Sequence, residues 1–189
     1  MIALDRARTL PHKVVRWGPT GRLLHWVMAL LIIGVIVVGL MMTRSHFDLG
    51  TTFALYQAHK SYGLIVLPLL VWRLLWRWRA TAPPPPPAMP PIERRLARAA
   101  HGLFYGLMAA LPVSGWIMAS ASPLRLPTRP FNLFSVPDLV QPDPVLFERL
   151  RLFHEMVAYG FIALLVLHVA AALKHHLIDK DDVLRQIGF

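Results

Sequence analysis

Apolar residues gather into four long runs separated by polar or proline-rich segments. The runs predict membrane-spanning helices at about 23–42, 55–72, 99–120 and 153–176, lengths that suit a bilayer crossing. The second run ends in RLLWRWR, and arginine mixed with tryptophan is typical of a membrane–water boundary. Asp143-Pro144 predicts the start of a helix that continues to about Ile178. The pattern therefore predicts an all-α membrane protein, a four-transmembrane-helix bundle.

The segments between the runs predict one domain over residues 1–189 with short connections. A basic leader covers 1–22, and the first apolar run is too long for a cleaved signal peptide. The proline-rich linker at 80–92 contains Pro83–Pro87 and predicts a stiff polyproline spacer. Residues 121–141 form the longest non-helical stretch, and 179–189 form a short polar tail.

Composition agrees with a membrane protein and narrows the chemistry. The chain is 56% hydrophobic and only 16% charged. It has no cysteine, which excludes disulfides, thiolate metal sites, iron–sulfur clusters and covalent c-type haem. The net charge of +10 could suggest nucleic acid, but the basic residues flank the apolar runs. We therefore interpret that charge as a topology signal and expect no nucleic-acid partner.

The distribution of lysine and arginine predicts the orientation. Fourteen of these residues lie in the leader, the segment from Arg73 to Arg98 and the tail from Lys174, whereas six lie on the opposite side. Because cytoplasmic segments are enriched in positive charge, both termini and the proline-rich linker are predicted to be cytoplasmic.

Two histidines mark the fourth apolar run. His154 and His168 are fourteen residues apart, which on a helix brings the second imidazole within about 40° of the first and about 21 Å along the axis. Two imidazoles on one face at two depths suggest ligands to two metal centres. The alternative is a pair of histidines hydrogen-bonded inside a bundle.

The predicted depth of each histidine in the membrane indicates a partner for His154 and for His168. His25 lies at the inner end of the first run, level with His168, and His59 lies toward the outer end of the second run, level with His154. Polar groups in membrane spans are costly and usually functional. We therefore predict two metal centres, His25 with His168 and His59 with His154.

The donor set favours haem over zinc. Two imidazoles would leave a zinc site short of its usual four ligands. A b-type haem needs only two axial ligands from the protein, because the porphyrin supplies four nitrogens. Ligation by two histidines also leaves no free position on the iron. This disfavours binding of a gas and favours electron transfer. The sequence thus predicts two haems b.

Other residues are candidate contacts of these cofactors. Gly39 follows His25 by fourteen residues, and Gly115 follows His101 by fourteen, so each could leave room for a macrocycle or simply pack helices closely. Arg73 follows His59 by fourteen and could pair with a haem propionate or serve as a positive-inside anchor. His101 is a candidate propionate or quinone contact.

The sequence resembles the bacterial cytochrome b561 family over essentially the whole chain. The matching stretches are LLHW at 23–26, AHKSYG at 58–63, VWRLLWR at 71–77, AHGLFYGLMAALPVSGW at 100–116, FHE at 153–155 and LHVAAALKHHLIDKDD at 167–182. The resemblance implies a bacterial inner-membrane protein whose four haem ligands are His25, His59, His154 and His168.

The resemblance also implies electron exchange with ubiquinone. His175 and Lys180 are the candidate contacts, and the alternative for His175 is a residue that simply lies at the membrane interface. One branch of the family is similar to superoxide:ubiquinone oxidoreductases, and some relatives occur beside a periplasmic lipocalin-like polyisoprenoid-binding protein. A basic outer surface could attract superoxide, formed by Lys60, Arg125, Arg129, Arg149 and Arg151, although nearby carboxylates nearly cancel that charge.

The functional prediction is a di-haem oxidoreductase that passes electrons between a periplasmic donor, for which superoxide is a candidate, and ubiquinone. One alternative is a haem-carrying membrane anchor that relays electrons for a partner dehydrogenase or hydrogenase. Another is a histidine-gated metal or proton transporter, which predicts no haem absorption band.

Overall fold

The computed structural model describes residues 14–188, so the prediction for residues 1–13 of the leader lies outside the described part. The described chain is helical, and its only β-type pairing there is an isolated bridge between Thr128 and Val136. The helices are α1 (Pro19–Arg44), α2 (Leu49–Arg79), α3 (Pro91–Ala121), α4 (Pro144–Lys174) and α5 (Val183–Ile187).

Proline and aspartate define where the long helices begin. Pro19, Pro91 and Pro144 each occupy the first turn of a helix, where the missing N–H costs nothing. The Asp143 carboxylate accepts hydrogen bonds from the backbone N–H groups of Val145 and Leu146, at 2.8 and 3.1 Å. The helix start predicted at Asp143-Pro144 is confirmed.

Within residues 14–188, three helical segments are long and apolar enough to cross a membrane: Pro19–Arg44, Pro91–Ala121 and Pro144–Asp179. They contain the first, third and fourth predicted spans. The second predicted span lies in α2, which is 31 residues long but is diluted by polar side chains such as Gln57 and Lys60. Length alone, about 46 Å for 31 residues, would be sufficient for α2 to cross.

The long helices pack in a simple order, with α1 against α2, α2 against α3 and α3 against α4. Their shared core is a cluster of buried apolar residues from all four helices: Met28, Val66, Leu70, Met108 and Phe161. Phe161 is seven residues from both His154 and His168. The core is therefore an apolar layer at mid-height between the outer and inner histidines.

The segment predicted as a short polar tail contains further helical structure. After α4 the chain makes one π-helical turn, His175–Asp179, which Lys180 ends with a left-handed backbone (φ 55°). Residues 183–187 then form α5, whose end packs beside the start of α1. The Trp26 indole N–H donates to the Ile187 carbonyl at 3.0 Å, and Arg22 donates to the Gly188 carbonyl at 2.9 Å.

The long connection between α3 and α4, which the orientation prediction places on the outer side, is held against the bundle rather than free. The Phe131 N–H donates to the Ser61 hydroxyl of α2 at 3.1 Å. The Leu139 N–H donates to the Ser120 hydroxyl at 3.1 Å, and the Trp116 indole N–H donates to the Pro137 carbonyl at 2.9 Å. This connection therefore covers the outer half of α2, close in sequence to His59.

Candidate metal centres between the helices

The outer pair of histidines joins α2 to α4. The ring centroids of His59 and His154 are 6.3 Å apart, and the ring planes are inclined by 77°. Both side chains are half-buried, and they project into the bundle about ten residues from the outer ends of their helices. The two imidazoles that the depth argument pairs on the outer side do face each other.

The inner pair joins α1 to α4 in the same way. The ring centroids of His25 and His168 are 6.4 Å apart, with an interplanar angle of 56°. The two pairs therefore have almost the same separation although they use different helices. Because His154 and His168 project from one face of α4, that helix contributes one imidazole at each level.

These separations fit two imidazoles bound to one metal ion. An imidazole nitrogen binds a metal at about 2.0–2.1 Å and the ring centre lies about 1.1 Å behind it, so opposed rings have centres about 6.3 Å apart. The observed 6.3 and 6.4 Å agree with that value. Two neutral imidazoles per level suit a b-type haem, whose porphyrin completes the coordination. Ligation itself stays a prediction.

The outer imidazoles have further contacts that orient their rings. His59 Nδ1 lies 3.1 Å from the Val35 carbonyl oxygen, and His154 Nδ1 lies 3.0 Å from the Ser114 hydroxyl. Both contacts involve Nδ1, so the Nε2 atoms are left for a metal. Ser114 was missed by the sequence reasoning, since nothing in its local pattern indicates a partner on another helix.

Gly39 and Gly115 lie beside these same rings. A Cβ atom at Gly39 would be 3.0 Å from Cε1 of His59, and one at Gly115 would be 3.3 Å from Cε1 of His154. The sequence places both glycines at the outer level and suggests room for a macrocycle. The structure places them against the imidazoles, so their missing side chains make room for the histidine rings.

The inner pair is surrounded by different groups. Arg73 Nη2 lies 3.3 Å from His25 Nδ1, and the Phe104 ring centroid lies 5.2 Å from that of His168. His101 also approaches, with its centroid 5.9 Å from that of His168, but it is exposed in the described structure whereas His25 and His168 are half-buried. His25 is therefore the better-placed partner, and His101 borders the same cavity.

His175 lies apart from both pairs, in a cluster of charged groups at the inner end of α3 and α4. His175 is buried, and its Nδ1 lies 2.7 Å from an Asp181 carboxylate oxygen. Glu93, His175 and Asp179 are close enough together to hold a metal ion. The Lys174 ammonium already bridges Glu93 and Asp179, at 2.9 and 2.7 Å, and so supplies the positive charge there. Lys180, the other candidate quinone contact, ends the π-helical turn.

On the side predicted to be outer, some basic residues are paired with carboxylates. Arg151 contacts Glu148 at 2.8 Å and Glu155 at 3.5 Å, and Arg44 lies 3.6 Å from Glu155. Arg44 also donates a hydrogen bond to the Tyr159 hydroxyl. Arg151 therefore adds little to the basic outer surface that the sequence suggests.

The chain matches known proteins over nearly its full length. The family model described as prokaryotic cytochrome b561 matches residues 16–189. Cytochrome b561 homolog 2 of Escherichia coli (strain K12) is 34% identical over 173 residues, which cover 91% of this chain and 90% of that protein. Cytochrome b561 homolog 1 of the same organism is 30% identical over 171 residues, with coverages of 89% and 94%. A probable superoxide oxidase CybB of Yersinia pestis is 29% identical over 171 residues, with coverages of 85% and 89%.

Proposed function

The chain belongs to the prokaryotic cytochrome b561 family, and on that premise we propose that it carries electrons across a membrane through two b-type haems. Binding of haem b and electron transfer in a membrane are properties of the family. Our proposal adds the number of haems, their ligands and the direction of transfer. The inner haem is held by His25 and His168, and the outer haem by His59 and His154.

The observation that carries this proposal is the equal separation of two histidine pairs at two levels. The centroids are 6.3 Å apart at one level and 6.4 Å apart at the other, although the partners come from different helices. Both values match the separation of about 6.3 Å expected for two imidazoles on one metal ion. An apolar layer that includes Met28 and Phe161 lies between the levels and would exclude water from the space between the haems.

Several side chains would each contribute a different contact to the haems. When bound, a b-type haem supplies reversible one-electron oxidation and reduction of its iron. The four imidazoles would hold the irons of the two haems, two to each iron, and would keep other ligands from them. Arg73, beside His25, provides a guanidinium that can pair with a haem carboxylate. Phe104 packs against His168 and fixes the orientation of its ring.

In the membrane arrangement that we propose, α2 is a fourth span and both termini are cytoplasmic. Support for the fourth span is the length of α2 and its packing between α1 and α3. Two of its polar residues face the bundle or the connection rather than lipid: His59 faces His154, and Ser61 accepts a hydrogen bond from the connection between α3 and α4. The chain is then a multi-pass protein of the bacterial inner membrane.

We further propose superoxide as the outer donor and ubiquinone as the inner acceptor. The name of the Yersinia pestis relative supports the first, at 29% identity. His175 and Lys180 are our candidate quinone contacts, at the inner end of α4, about two and about three helical turns beyond His168. Stopped-flow mixing of the oxidised protein with superoxide should reduce haem, and prior addition of superoxide dismutase should abolish that reduction. Haem reduction that dismutase does not change would contradict the choice of donor.

The haem content of histidine variants tests the core of the proposal. A pyridine haemochrome assay should find two haems b per chain in the wild type. Replacement of His25 or of His154 by leucine should each remove one haem, whereas the control His101→Leu should retain two. One haem in the wild type, or loss of haem in His101→Leu equal to that in His25→Leu, would contradict the assignment.

Absence of any haem band would favour a transporter, and co-purification of a large periplasmic subunit would favour the anchor role. Co-purification of a lipocalin-like protein would identify the predicted partner.

A further inference from the structure

Ser114, on α3, has two polar contacts and almost no exposure. Its side chain is buried, with 5% of the residue surface exposed. The hydroxyl oxygen lies 3.0 Å from the Leu111 carbonyl oxygen and 3.0 Å from His154 Nδ1. A serine hydroxyl has one proton to donate and two lone pairs that accept. The hydroxyl donates its proton to the Leu111 carbonyl, which can only accept.

The direction of the second hydrogen bond then follows. Because the serine proton is used on Leu111, the contact with His154 requires that Nδ1 of the imidazole carry the hydrogen. In a neutral imidazole only one nitrogen is protonated, so Nε2 keeps its lone pair. That atom is the one left for the gap between His154 and His59.

The same reasoning gives the tautomer of His59, on the other side of the gap. Its Nδ1 lies 3.1 Å from the Val35 carbonyl oxygen, which accepts and cannot donate. Both outer imidazoles are therefore oriented by an oxygen that takes the Nδ1 hydrogen.

We propose that Ser114 is a positioning residue of the outer haem site: its hydroxyl selects the Nδ1–H form of His154 and strengthens Nε2 as an iron ligand. This inference rests on the proposed function, since it assumes a haem between His59 and His154. A hydrogen bond from the second nitrogen fixes the orientation of a ligating histidine and raises its basicity. A more basic ligand stabilises the oxidised, more positive iron, so Ser114 lowers the reduction potential of the outer haem.

A purely structural role for Ser114 can be separated by a matched control on the same helix. Ser120 is also buried, with 4% exposed, and its hydroxyl donates to the Trp116 carbonyl at 3.0 Å. Its other contact is the Leu139 N–H rather than a histidine. Ser120→Ala therefore removes a similar buried hydroxyl without touching either histidine pair.

The test is a redox titration of the two haems in Ser114→Ala, Ser114→Thr and Ser120→Ala. The outer haem is identified as the component that is lost in His154→Leu. We expect Ser114→Ala to raise the potential of the outer haem only, and to weaken its binding roughly 10–100-fold, the usual effect of losing such a partner. Ser114→Thr keeps the hydroxyl and should restore wild-type behaviour, and Ser120→Ala should leave both potentials unchanged.

Two results would overturn the role of Ser114. The first is an outer potential in Ser114→Ala that equals the wild-type value, or that shifts no more than in Ser120→Ala. The second result comes from the wild-type protein, so it can be obtained even if Ser114→Ala does not fold. Nitrogen NMR of histidine-labelled, haem-free wild-type protein should show a proton on Nδ1 of His154. A proton on Nε2 instead would refute the inference. A wild type with fewer than two haems would contradict the proposed function, whereas the NMR result still decides the hydrogen bond.

Discussion

Replacing Gly39 by alanine should disturb the outer haem site through one added methyl group. A Cβ atom there would lie 3.0 Å from Cε1 and 3.2 Å from Nδ1 of His59. Carbon atoms pack best at about 3.5–4.0 Å, so the methyl group overlaps the imidazole by roughly 0.5–1 Å. The His59 ring cannot move away freely, because its Nδ1 is hydrogen-bonded to the carbonyl of Val35, which lies on the same helix as Gly39.

The size of the effect follows from the cost of overpacking. Inserting a methyl group into a packed site costs about 1–3 kcal/mol, which corresponds to a roughly 5- to 150-fold loss of affinity. Alanine also favours helix over glycine by about 1 kcal/mol, which offsets part of the loss in overall stability. We therefore expect the larger effect on outer haem affinity and a smaller one on unfolding.

Gly34→Ala is the matched control, because it is the same change on the same helix and a Cβ there meets nothing within 4 Å. Haem affinity is measured by titrating haem into the apoprotein, and stability by thermal unfolding in detergent. Gly115→Ala, with a 3.3 Å contact to His154, should have a smaller effect than Gly39→Ala, and Gly106→Ala should have none. Equal haem affinity in Gly39→Ala and Gly34→Ala would refute the argument.

Three further changes test the fold around the site. Gly21→Ala would place a Cβ 2.0 Å from the Trp76 ring, so it should destabilise the α1–α2 contact by about 3 kcal/mol; a melting temperature equal to that of the wild type would contradict this. Asp143→Ala removes the cap of α4 and should cost about 1 kcal/mol in chemical unfolding, whereas Asp143→Asn should retain most of the cap. Hydrogen bonds from the Thr51 hydroxyl and then its N–H lower the pKa of Asp48. Since the folded pKa lies below the unfolded value of about 3.9, this stabilisation is complete above that pH and is lost as the pH falls through the lowered value. A carbon NMR titration of the Asp48 carboxyl with a midpoint at or above 3.9 would contradict this pKa shift, and Asp48→Asn should remove the contribution of this carboxyl to the pH dependence of unfolding.

The helices and the histidine pairs could be predicted because both follow from spacing along one helix. A long apolar run has few alternatives to a helix, since every backbone polar group must find a partner within the segment. The fourteen residues between His154 and His168 place both on one face of α4. Depth then leaves His25 and His59 as the level partners, and the structure brings these same rings together.

Contacts between distant segments could not be predicted in the same way. The helix α5 has only five residues, too few to be stable without the hydrogen bonds that join it to α1. The charged cluster of Glu93, Lys174 and Asp179 joins residues 81 positions apart, and no local pattern indicates it. Both features depend on which ends of the helices meet.

The sequence by itself therefore determined the features that follow from helical periodicity. These are the long helices, the face of α4 that carries two imidazoles, and the level of each histidine. The tertiary structure decided the direction in which side chains meet, such as Ser114 toward His154 and Gly39 against the ring of His59. The physical reason is that helical spacing specifies height and face on one helix. The rotation of that helix against its neighbours depends on how all the contacting side chains pack together.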